Sequence, residues 1–99
     1  MAETKFTPGP WEAFHQLRLS IIRGQDGEHI ADTGSWRDDE IPELRANAHL
    51  IAAAPELLEA LYAMLAYTAD LNAIQGFDEY DHAAVKKARA AIAKATGEV

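Results

Sequence analysis

Two hydrophobic periods divide this chain, and together they leave few folds open. From Leu17 to Arg23 apolar and polar residues alternate for most of the stretch, the period of a half-buried strand, with Leu17, Leu19 and Ile21 expected to face the core. From Glu43 to about Leu71 the period is that of a helix. Leu44, Ala48 and Ile51 fall at i, i+4 and i+7, and Leu57, Leu58, Leu61, Met64 and Leu65 form a second stripe. Strands first and helices after predict an α+β chain.

The flanking residues fill in this outline. Gly24-Gln25-Asp26-Gly27 reads as a turn, Glu28–Thr33 as the returning strand and Trp11–Gln16 as a strand before it. A lone hairpin is marginal in water, so the helices must cover it. The expectation is a short N-terminal antiparallel β meander of two or three strands packed on two or three C-terminal helices. It forms a single domain over 1–99: an irregular lead-in at 1–10, the meander at 11–33, a loop at 34–42 and helices at 43–96. Thr7-Pro8-Gly9-Pro10 keeps the lead-in irregular.

Pro55 interrupts the helical stretch. Inside a helix a proline removes a hydrogen bond and collides with the carbonyl four residues back, here that of Ile51, at about 3 kcal/mol. At the start of a helix it costs little. Two helices follow, about 43–53 and 55–71, with a break at Ala54; one kinked helix is the alternative. Asn72 and Gly76 mark a connector over 71–78. A last helix then runs from Asp78 or Glu79 to Ala95, with Ala84, Ala88, Ala91 and Ala95 on its small-residue face beside Val85 and Ile92, and a frayed end at 96–99.

Charge and composition narrow the function. Nine Lys and Arg oppose sixteen Asp and Glu, a net charge of −7. That argues against non-specific nucleic-acid binding and against anionic membrane surfaces. No apolar run is long enough to span a bilayer, and Met1–Phe6 lacks an apolar signal-peptide core, so a cytoplasmic protein is expected. With no cysteine there is no disulfide and no thiol chemistry. His15, His29, His49 and His82 are scattered, and none forms a metal-binding spacing, so no metal site is expected. No G-x-S-x-G, P-loop or dinucleotide fingerprint is present. Glu12, Glu28 and His29 are the only acid–base neighbours that strand pairing suggests. No catalytic residue and no cofactor is assigned, and the protein is expected not to be an enzyme.

Aromatic and basic residues carry the binding expectation. Trp11 and Trp36 lie in or beside the β region with Arg37 next to Trp36, and an Arg beside an aromatic face clamps a nucleobase and its phosphate. Arg45 and Asn47 project from the first helix, and Lys86 and Arg89 make the last helix basic. These seven residues, Trp11, Trp36, Arg37, Arg45, Asn47, Lys86 and Arg89, are the candidate ligand-binding set. The acidic segment Asp38–Glu43 is the rival feature, suited to a basic protein surface.

Two segments together resemble a known group. Thr7-Pro8-Gly9-Pro10-Trp11-Glu12, and Ala46-Asn47-Ala48-His49-Leu50-Ile51-Ala52-Ala53-Ala54-Pro55-Glu56-Leu57-Leu58-Glu59-Ala60-Leu61, look like small phage and prophage proteins of uncharacterised role. Those proteins share a TPGPWE-like start, a β hairpin and an NA-x-LIAAAPELLEAL helix. The resemblance implies a phage accessory protein acting in the host cytoplasm, and it transfers no catalytic residue. In layout alone the chain is also similar to the Thoeris anti-defence type 1 sponges, oligomers that sequester nucleotide immune signals. The expected function is therefore non-enzymatic sequestration of a small anionic nucleotide by a homo-oligomer. The alternatives are an acidic inhibitor of a host DNA-binding or defence protein, and a structural phage component without a ligand.

Overall fold

The computed structural model describes residues 5–75 and 83–98. It has strands β1 (Glu12–His15), β2 (Leu19–Arg23) and β3 (His29–Gly34), a 3-10 turn (Asp38–Glu40) and helices α1 (Ile41–Ala52), α2 (Ala54–Gln75) and α3 (Ala83–Thr96). The chain is α+β, as its two periods predict. It divides into two compact units, Met1–Glu56 and Leu57–Val99.

In the first unit the strands form an antiparallel meander in the order β1-β2-β3. Phe14 lies opposite Ile21 and His15 opposite Ser20 in the first pairing; Ser20 lies opposite Thr33 and Ile22 opposite Ala31 in the second. The β2–β3 register shifts between Ile22 and Arg23, so Ile30 is an extra residue that bulges the strand. Gly27 closes the connecting turn at φ 85°, a left-handed conformation suited to glycine, and its N–H donates to the Gly24 carbonyl at 3.0 Å.

The buried face of β2 is the opposite of the one its apolar pattern suggests. Ser20 and Ile22 are 0% exposed, Leu19 and Ile21 are half-buried, and Leu17 is 69% exposed. Helix α1 covers the Ser20/Ile22 face with Leu44 and Ala48, both buried. Small residues explain the fit. Ala13, Ser20, Ala31 and Ala48 have short side chains, which lets the helix seat closely on the sheet. Thr33 ties the two layers together by donating its hydroxyl to the Leu44 carbonyl at 3.1 Å.

Helix α1 begins at Ile41, two residues before the expected start, because the 3-10 turn Asp38–Glu40 leads directly into it and Pro42 suits its first turn. The loop expected to run to residue 42 therefore ends earlier. The helix stops at Ala52, and the Ala53 N–H closes its last turn on the His49 carbonyl at 3.1 Å. The proline splits the stretch into two helices, with the break at Ala53 rather than Ala54. Pro55 has no N–H to offer Ile51, but at the second position of α2 that loss is harmless.

The lead-in is fastened to this junction. The Trp11 indole N–H donates to the Thr7 carbonyl at 3.0 Å, and the Phe6 and Trp11 rings meet edge to face at 6.2 Å. Gly9 lies directly against buried Pro55, so that a β-carbon on Gly9 would stand 2.9 Å from Pro55 Cβ. The start motif and the proline of the helical motif, far apart in sequence, are thus in contact.

In the second unit α2 continues to Gln75, so the connector expected from Leu71 is helical as far as Gln75, and Asn72 does not stop the helix. The rest of that connector and the expected start of the last helix lie outside the described residues. On α2 the half-buried stripe is Leu58, Leu61, Leu65 and Thr68; Leu57 and Met64, expected to share it, are exposed. On α3 the half-buried positions include Val85, Ala88 and Ile92, while Ala84, Ala91 and Ala95 are exposed, so the small-residue face is not the buried one. The end of α3 is capped rather than frayed. Gly97, at φ 76°, donates to the Lys94 carbonyl at 3.3 Å and Glu98 to the Ala93 carbonyl at 2.8 Å, the two bonds of a Schellman cap. Among the described residues no single helix is long and apolar enough to cross a membrane.

Candidate functional site

The segment after β3 presents Trp36. Its side chain is 94% exposed, yet its backbone is held on several sides. Arg18, in the β1–β2 turn, donates Nη1 to the Trp36 carbonyl at 2.8 Å, and its Nη2 pairs with Asp38 at 2.6 Å. The Ser35 N–H donates to the Arg18 carbonyl at 3.2 Å, and Ser35 Oγ accepts from the Arg37 N–H at 3.1 Å. Surface pairs of this kind add little stability individually. Their effect here is geometric: they fix the backbone that carries a large apolar side chain into solvent.

The candidate residues divide accordingly. Trp11 spends its indole N–H on its own lead-in and serves the fold. The Arg37 guanidinium is engaged by Asp39 at 3.0 and 3.2 Å and by Glu40 at 3.4 Å. Arg45 and Asn47 are both exposed on α1; two residues apart, they point roughly 200° from one another. Lys86 and Arg89 are exposed on α3, in the other unit. Of the seven, Trp36 and Arg37 share one hydrogen-bonded loop. In this loop Asp38 pairs with Arg18, and Asp39 and Glu40 with Arg37; with Glu43 in the first turn of α1 the four acids exceed the two arginines by two charges.

The acid–base neighbours suggested by strand pairing are occupied separately. His29 pairs with Asp32 at 3.2 Å, Glu28 accepts from the Asp26 N–H at 2.9 Å, and β2 stands between Glu12 and His29.

A different cluster forms where β1 meets α1, and sequence spacing gave no sign of it. His15 Nδ1 is 2.7 Å from Oγ of fully buried Ser20, and His15 Nε2 is 3.3 Å from His49 Nε2, with the rings edge to face at 4.8 Å. The two histidines are 34 residues apart, and only the packing of the helix on the sheet joins them. Among the described residues no group of three or more His, Cys, Asp or Glu is placed to hold a metal ion.

The family model of Salmonella phage P22 protein Y8K6 matches residues 1–99. The chain belongs to that phage protein family. No curated protein and no solved structure matches it significantly. Membership agrees with the phage context that the two motifs suggest, and it specifies no activity.

Proposed function

We propose that this phage protein is a non-enzymatic binding module of the host cytoplasm that docks on a basic surface of a host protein through its Trp36 loop. One observation carries the reading: a tryptophan almost wholly in solvent on a backbone fixed by Arg18. Tryptophans are enriched among the residues that dominate interface energy, and a loop already held by hydrogen bonds loses less entropy on binding. The negative excess around Trp36 favours a cationic partner and works against an anionic ligand at this loop. The test is affinity capture from host lysate with the wild-type protein and the Trp36→Ala variant. We expect a basic protein to be retained by the wild type, reduced at least 10-fold by W36A and reduced again between 50 and 500 mM salt. An identical captured set with W36A would sink the reading.

Sequestration of a small anionic nucleotide is the second reading, and it rests on Arg45, solvent-facing on α1; Asn47 faces away from it and would meet the same ligand only from another subunit. It also needs self-association, which the exposed residues of α2 favour. Leu57, Met64 and Tyr67 stand at i, i+7 and i+10, the spacing of a helix–helix seam. Native mass spectrometry with a panel of cyclic nucleotides addresses both points. A discrete oligomer that dissociates in a Leu57→Glu, Met64→Glu double variant is the result expected of the seam, and retention of an unmodified nucleotide is the result expected of sequestration.

A further inference from the structure

We propose that His15 and His49 form a zinc-binding site. The argument is independent of the Trp36 reading. Three features carry it. First, the two Nε2 atoms are 3.3 Å apart. That is within hydrogen-bond reach, and it also matches the edge of about 3.3 Å that a tetrahedral ion with metal–nitrogen bonds of about 2.0–2.1 Å needs. Second, the partner of His15 on its other nitrogen is built into the core: Ser20 Oγ, 0% exposed, lies 2.7 Å from Nδ1. With the Nδ1 proton donated to that oxygen, the Nε2 lone pair faces His49, the arrangement in which metal-binding histidines are held by a neighbour on the far nitrogen. Third, the two ligands sit on separate rigid elements, β1 and α1, and both side chains are exposed, so an ion reaches them from solvent.

With no third His, Cys, Asp or Glu joining them among the described residues, two positions of the tetrahedron are open to water or an exogenous ligand. Binding is therefore weaker than at a four-ligand structural site. It also clamps the N-terminal strand to α1.

The test is zinc titration of the full-length protein, followed by calorimetry and by imidazole nitrogen NMR. We expect one equivalent to bind, with the Nε2 resonances of His15 and His49 shifting and those of His29 unmoved. His15→Gln and His49→Gln should each weaken binding at least 10-fold, Ser20→Ala about 10-fold, and His29→Gln not at all. Both glutamine changes are at exposed positions, and circular dichroism verifies that the variants are folded. Zinc bound equally by H15Q, or Nε2 resonances that do not respond to zinc, would overturn the site and leave a direct imidazole–imidazole hydrogen bond in its place.

Discussion

Ile22→Ala is expected to destabilise the first unit by roughly 2–5 kcal/mol, the range for truncating a fully buried isoleucine. Ile22 is 0% exposed at the centre of the middle strand, and α1 adds only Leu44 and Ala48 as buried side chains over the sheet. A unit of this size has roughly 0.05–0.15 kcal/mol per residue of net stability, so the loss removes about a quarter of it or more. Leu17→Ala, in the exposed turn, should change stability by less than about 0.5 kcal/mol. Urea denaturation followed by circular dichroism checks both variants. If Leu17→Ala proved the more damaging, the strand would face the other way and the assigned register would fall.

Gly9→Ala is expected to cost about 1–3 kcal/mol, as overpacking does in a well-filled site. The added methyl carbon would stand 2.9 Å from Pro55 Cβ and 3.3 Å from its Cγ. Neither atom belongs to the end of a flexible side chain. Pro55 is buried and its ring is fixed at the start of α2, so the lead-in must move instead. Thermal unfolding should show a midpoint lowered by roughly 5–20 °C. Gly9→Ala combined with Pro55→Ala should recover little of the loss, since alanine keeps the Cβ at 2.9 Å and removes only the Cγ at 3.3 Å. An unchanged midpoint in the single variant would show that the two motifs do not meet.

These two positions also show what the sequence could and could not reveal. The strand, its turns and the helix break were legible because each rests on local chemistry: alternation, Gly27, and a proline with no N–H for Ile51. The buried face of β2 was not. Leu19, Ile21 and Ile22 place apolar side chains on both faces, and the core face also carries a polar Ser20, whose hydroxyl is satisfied by His15. Alternation alone then favours the wrong side. Helix α2 runs past the expected stop because Asn72 is only a weak stop signal, its helix propensity lying a few tenths of a kcal/mol below that of good helix formers.

The site divides along the same line. That Trp36 sits in a loop beside acids is readable from the chain. That Arg18 fixes its backbone is not, because the two are brought together by the β1–β2 turn and the end of β3. The pairing of His15 with His49 likewise exists only once α1 is seated on the sheet. Arg37 looked like an anion clamp beside a tryptophan, yet its nearest neighbours in space are the carboxylates two and three residues further on.

Docking through Trp36 is tested most directly by photo-crosslinking in infected host cells, with a photoreactive aromatic amino acid replacing Trp36 and a control replacing Leu17. The account predicts a discrete crosslink to one basic host protein from position 36 and none from position 17. The same products from both positions, or no product from position 36, would contradict it.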